Sequence, residues 1–273
     1  MADIYGFDAF SPKQIAEKVD NIGVVKARLP LLSMVMLGIL AGAFIGLGGL
    51  YYTLVKSDAS LGFAMQQVVG GLVFSLGLLL VIVAGAELFT GNNLLAMAWA
   101  DKKITTTQLL KNWVVVCFAN LVGAVGVALL VFLSDHPQMN SGAIALMYAK
   151  IAAAKCEMPF FQAFFRGVLC NVLVCMAVWM ALAGRSVIDK AVAIVFPISA
   201  FVAAGFEHSV ANMYFIPLAM MLKASGTVDV ADSVNLLAFI GNLVPVILGN
   251  LVGGSVLVGL VYRLIYLRNQ DEK

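Results

Sequence analysis

Gly85-Ala86-Glu87-Leu88-Phe89-Thr90-Gly91-Asn92-Asn93 and Gly205-Phe206-Glu207-His208-Ser209-Val210-Ala211-Asn212 each interrupt a long apolar run of the chain. An ionisable side chain in a lipid-facing helix costs roughly 3 kcal/mol or more, yet these stretches hold two glutamates and a histidine. Small and amide residues follow, which do not continue a simple apolar helix. Irregular backbone survives at membrane depth only inside protein or beside water. Polar breaks at corresponding places in two halves of a chain mark a transport site near the bilayer midplane. The two stretches therefore predict a membrane protein that passes a polar solute.

The chain is 62% hydrophobic and 12% charged, outside the range of soluble domains. Apolar runs lie near 31–55, 64–100, 113–133, 159–184, 191–222 and 235–267. A crossing needs about 20 residues, so the runs holding the breaks are read as paired half-helices. The expectation is an all-α integral membrane fold of six spans, with spans 2 and 5 broken. Twelve basic residues then fall on one side (Lys13, Lys18, Lys26, Arg28, Lys102, Lys103, Lys111, Arg185, Lys190, Arg263, Arg268, Lys273), and Lys56, Lys150, Lys155, Arg166 and Lys223 on the other. That bias predicts cytoplasmic termini. Residues 1–29 mix four basic with four acidic side chains, unlike a signal peptide, and are expected to form an amphipathic cytoplasmic segment. Residues 30–268 would form the channel domain and 269–273 a cytoplasmic tail. No basic block points to nucleic acid. The four cysteines have no metal spacing and read as apolar filler.

The chain also repeats itself. Asn112, Asn120 and Leu121-Val122-Gly123 align with Asn242, Asn250 and Leu251-Val252-Gly253 at an offset of 130, and Gly85, Glu87 and Asn92 align with Gly205, Glu207 and Asn212 at 120. The first and fourth spans give no internal match. A unit of three spans (about 30–134 and 159–267) is odd, so its second copy must be inverted. The two breaks would then aim half-helix N-termini at one volume, a geometry suited to an anion. Gly38, Gly42 and Gly46, and again Gly249 and Gly253, are spaced by four. That spacing permits close helix approach, within one protomer or between protomers.

Among candidate side chains His208 stands first, because histidine titrates near neutral pH and here adjoins Glu207 at a break. Thr90 is its expected counterpart on the first break, where it offers a hydroxyl to an oxyanion or caps the next half-helix. Glu87 and Glu207 are expected to anchor the loops by accepting backbone N–H bonds, since a bare carboxylate would repel an anion. Asn92 and Asn212 would satisfy unwound backbone. Phe74, Leu78 and Phe201 lie whole turns before the breaks and either constrict a lumen or fill a core. Asn171 shares a face with Val174 and needs a polar partner. An enzyme is disfavoured: neither His-Glu-x-x-His nor Gly-x-Ser-x-Gly occurs, and no cofactor or metal set is found.

These two stretches, together with Lys111-Asn-Trp, Ala177-Val-Trp-Met180, Gly184-Arg-Ser and Asn250-Leu-Val-Gly-Gly254, resemble the signatures of the formate/nitrite transporter family. The similarity covers roughly residues 30–267 and is strongest to its bacterial formate channels. The resemblance implies an aquaporin-like fold, a homopentamer with a pore in each protomer, and a bacterial inner membrane. It implies formate as the chief solute, with passive export and pH-dependent, proton-linked uptake. Nitrite, acetate and hydrosulfide are the alternative anions of the same family. A true aquaporin is disfavoured by the lack of Asn-Pro-Ala boxes. Carried over, His208 becomes the central pore histidine with Thr90 facing it. Leu78 and Phe74 become the cytoplasmic constriction, Phe201 and Val174 the periplasmic one, and Leu88 a further pathway residue. Lys155, Asn171, Glu207 and Asn212 would attract the anion or position His208.

Overall fold

The computed structural model describes residues 9–267. The expectations for residues 1–8, Arg268, Lys273 and the tail 269–273 lie outside the described residues. Every regular element among the described residues is helical. We label the helices α1 (Pro12–Ala27), α2 (Leu31–Lys56), α3 (Phe63–Gly85), α4 (Ala96–Ala100), α5 (Thr106–Leu133), α6 (Ala143–Cys156), α7 (Phe160–Ala183), α8 (Val187–Ala203), α9 (Ser209–Ala224) and α10 (Leu236–Tyr266).

Helices α2, α3, α5, α7 and α10 are long and apolar enough to cross a membrane. Large apolar side chains also cover their outward faces, among them Leu32 and Leu40 on α2, Phe118 and Leu130 on α5, and Phe161 and Leu237 on α7 and α10. A helix apolar all round is buried in lipid or protein. The run near 191–222 is divided instead into α8 and α9, of 17 and 16 residues.

Both divided regions begin in the same way. Gly85 and Gly205 adopt left-handed φ values of 84° and 70°, which suit glycine. The next amides fold back five residues: Ala86 N–H donates to Val81 O and Phe206 N–H to Phe201 O. Non-helical segments 86–90 and 204–208 follow. A 3-10 turn, Gly91–Leu95, then leads into α4, while α9 starts directly at Ser209.

The spaced glycines serve packing within the chain. A Cβ on Gly42 would strike the Asn120 carbonyl of α5, and one on Gly253 the Val168 carbonyl of α7. Helices α2 and α5 thus meet backbone to backbone, and α7 and α10 do the same.

Helix α1 is amphipathic and starts with a capping box, Ser11 with Gln14. Its buried face, including Ile15, Val19 and Ala27, packs on Leu94, Met97, Trp179 and Leu95. Asp20 is buried on the same face, bonded to Lys103, with Asp101 and Arg263 close by. Burial pushes the Asp20 carboxyl above its ordinary range, and the Lys103 contact only partly offsets this. A raised carboxyl pKa means that docked α1 holds a proton which free α1 releases. Docking is therefore expected to be tightest below the ordinary value of 3.8 and to loosen as pH rises through the raised one. Hydrogen exchange of residues 12–27 across acid pH checks this; protection that grew with pH would contradict it.

Candidate functional site

The two non-helical segments are held by matching sets of polar side chains. In the first, Lys26 Nζ pairs with Glu87 Oε1 at 2.9 Å. Asn92 Nδ2 donates to Glu87 Oε2 at 2.7 Å and to Asn112 Oδ1 at 3.0 Å, and Asn112 Nδ2 donates to Lys26 O at 3.3 Å. In the second, Lys155 Nζ pairs with Glu207 Oε1 at 2.9 Å. Asn212 Nδ2 donates to Glu207 Oε2 and to Asn242 Oδ1, both at 2.7 Å, and Asn242 Nδ2 donates to Lys155 O at 2.9 Å.

Asn120 and Asn250 fasten the loops to the helix pairs. Asn120 bridges Gly38 O and Glu87 O and accepts from Phe89 N–H. Asn250 bridges Gly167 O and Glu207 O and accepts from Ser209 N–H. Every carboxylate oxygen of Glu87 and Glu207 has a partner, as burial in a medium without water requires.

These bonds correct three expectations. Glu87 and Glu207 accept from lysine and asparagine side chains rather than from backbone amides. Asn92 and Asn212 bond carboxylates rather than unwound backbone through their Nδ2 atoms. Finally, α2 and α7 do correspond: Leu37 takes the place of Arg166 and Gly38 that of Gly167, and Lys26 that of Lys155 in the helices before them, at an offset of 129. The match was invisible because only these few polar and glycine positions survive in otherwise interchangeable apolar residues.

The loop offset of 120 pairs His208 with Leu88, and Thr90 with Val210, so Thr90 is not the positional counterpart of His208. It nonetheless faces His208, with Thr90 Oγ1 and His208 Nε2 3.0 Å apart and both residues buried. His208 Nδ1 accepts from Ala211 N–H at 3.1 Å and so caps α9. With Nδ1 occupied as acceptor, the neutral ring carries its proton on Nε2 and donates to Thr90. The threonine hydroxyl hydrogen is then free for a third group. Thr90 makes no cap bond, which leaves the facing role.

Asn171, the buried amide of α7, finds its partners: Nδ2 contacts Asn93 Oδ1 and Asn250 O at 2.7 Å and Thr90 O at 3.2 Å. Lys26, Asn93, Asn112, Asn120, Asn242 and Asn250 were not singled out from sequence as site residues. Their signal was available, since four of them mark the internal repeat.

Three cavities line up through this centre. The one on the α1 side, of about 50 Å³, is lined by Lys26, Leu78, Leu88, Asn92 and α1 residues including Val19 and Gly23. A central one of about 10 Å³ touches Phe74, Leu78, Leu88, Val174, Phe201 and His208. The opposite one, of about 200 Å³, is lined by Tyr52, Phe74, Lys155, Arg166, Phe201, Glu207 and His208. Leu78 and Leu88 thus separate the first cavity from the centre, and Phe74 and Phe201 the centre from the third. Phe74 stands with Phe201, their rings edge to face at 5.8 Å, rather than with Leu78 as the resemblance implied. It lies one helical turn from Leu78, far enough to change collars.

Thr90→Val keeps the shape of the side chain and removes its hydroxyl. It is expected to lower solute flux about tenfold, the loss of roughly one hydrogen bond of 1.5 kcal/mol to a charged group, with oligomer assembly unchanged. Flux in proteoliposomes beside size-exclusion chromatography reads both; full flux would remove Thr90 from the pathway.

Residues 13–264 match the family model described as formate/nitrite transporter. Formate channel FocA of Escherichia coli (strain K12) is 40% identical over 277 aligned positions, covering 97% of each chain. A probable formate transporter of Methanothermobacter thermautotrophicus is 41% identical, covering 94% of this chain and 97% of its own. Among solved structures, a pentameric formate channel with formate bound superposes with a TM-score of 0.81 at 38% identity, over 87% of this chain and 98% of that one. An aquaglyceroporin from Plasmodium falciparum matches at 0.55 with 15% identity, over 85% and 99%, and shares the fold alone.

Proposed function

The chain belongs to the formate/nitrite transporter family, and from that premise we propose that it is a membrane channel for small monovalent anions, chiefly formate. The observation that carries the reading is the line of cavities from Lys26 to Lys155, closed by two apolar collars around one polar contact, Thr90 with His208. A lysine at each mouth, paired with a glutamate, offers ammonium donors to an arriving anion. Each collar strips water from the ion, and Thr90 and His208 replace the lost hydrogen bonds between them. Glu87, Asn92, Glu207, Asn212 and Asn171 hold the loops in register and do not touch the solute.

In this reading α8 and α9 form one broken crossing, which brings the spans to six, and residues 30–268 make two inverted three-span repeats. The termini and α1 lie in the cytoplasm of a bacterium, and the protein resides in its inner membrane. The pentameric relative supports a homopentamer with one pore per protomer. To lend a proton, His208 must first take one on Nδ1, where it displaces the Ala211 cap. Uptake of formate as the neutral acid is thus tied to a small rearrangement at the start of α9. Uptake by proteoliposomes of formate, nitrite, hydrosulfide and glycerol, at acid and neutral pH, tests the reading. Formate-led, pH-dependent flux is expected; glycerol flux without anion flux would overturn it.

A further inference from the structure

We propose that Arg166 is a second anion-recruiting and selectivity residue, acting only at the wide mouth of the pore; the inference rests on the channel reading above. Arg166 lies on α7 in one row with Cys170 and Val174, at spacings of four. Val174 lines the central cavity, so Arg166 sits eight residues outward, roughly 12 Å along the helix. There it lines the wide cavity with Lys155, Glu207 and His208. Its Nη1 donates to Gly205 O at 3.4 Å, and among the described residues no carboxylate pairs with it.

Charge at the two mouths differs for this reason. On the narrow side Lys26 is balanced by Glu87, for a local sum of zero. On the wide side Lys155 is balanced by Glu207, and Arg166 adds one positive charge. The residue that corresponds to Arg166 on the narrow side is leucine: Leu37 O accepts from Glu87 N–H as Arg166 O accepts from Glu207 N–H. The extra charge is therefore not a requirement of the loop frame, which closes without it. A guanidinium also presents a planar fork of donors that fits a two-oxygen anion such as a carboxylate better than a spherical one, whereas an ammonium does not discriminate in this way. The site suits small monocarboxylates arriving from the wide side.

The test is formate current across planar bilayers, with formate added to one side at a time. Arg166→Leu, the residue of the corresponding position, is expected to raise the half-saturating formate concentration on the wide side about tenfold at low salt. It should leave the other side and the maximal current unchanged. Added salt should erase the difference between the variant and the parent, because an exposed charge is screened. Arg166→Lys should keep the salt-sensitive recruitment and lose preference for formate over chloride. A change equal on both sides, or unaltered salt dependence in Arg166→Leu, would mean a structural role and overturn the proposal. If Arg166→Leu does not assemble, Arg166→Gln gives the same readout. A parent protein that carries no formate defeats the channel reading itself; a parent that does, with an Arg166→Leu variant identical to it, defeats only this inference.

Discussion

Replacement of His208 by phenylalanine is expected to abolish formate uptake driven by a proton gradient. Phenylalanine keeps the planar bulk that stands near Phe201, so the collars persist. It removes the only imidazole in the lumen and the partner of Thr90. An anion in the central cavity then loses a hydrogen bond worth roughly 1.5–3 kcal/mol to a charged group, and any route through the neutral acid. The variant also loses the cap on Ala211 N–H, at about 1 kcal/mol. His208→Asn separates these effects, because asparagine caps well and does not titrate. Both variants should lose the pH dependence of uptake, and only the phenylalanine variant should lose the cap. Uptake that kept its parental pH profile in either one would remove His208 from proton transfer.

Asn250→Ala is expected to cost more than any collar substitution, and to act on folding rather than on passage. One side chain serves Ser209 N–H, Gly167 O and Glu207 O. Its removal takes a side-chain partner from three buried backbone groups, at roughly 1–3 kcal/mol for each one left unsatisfied. Their sum is comparable with the whole stability of a typical domain, about 5–15 kcal/mol. Asn120→Ala should behave alike, since Asn120 serves Phe89 N–H, Gly38 O and Glu87 O. Thermal unfolding in detergent should show midpoints lowered by about 10 °C or more in both. A midpoint near that of the parent in either variant would refute the account of the loop frames.

Much of this was legible from the polar residues, because each one in an apolar run needs a reason. The two loop stretches and the repeat marked by Asn112 with Asn242 and Asn120 with Asn250 could be read that way, whereas the facing of Thr90 and His208 came from the family resemblance. What escaped was the identity of partners. Lys26 lies in an amphipathic segment where any lysine reads as solvated, so its reach to Glu87 depends on how α1 docks. Phe74 and Leu78 are both apolar and one turn apart, so composition could not assign them to collars. The division of 191–222 into α8 and α9 was expected from the break, but neither piece alone has the length of a crossing.

The two loop frames also bear on how such a chain is made. Every member of the first, from Lys26 to Asn120, precedes every member of the second, from Lys155 to Asn250. A nascent chain entering the bilayer in order can therefore neutralise Glu87 as soon as α5 is in place, before Glu207 has left the ribosome. Contacts that join the halves, such as Thr90 with His208 and Asn171 with Thr90 and Asn93, must wait for the remainder. Each half carries its own counter-ion into the lipid, and neither has to hold a bare carboxylate there until the other arrives.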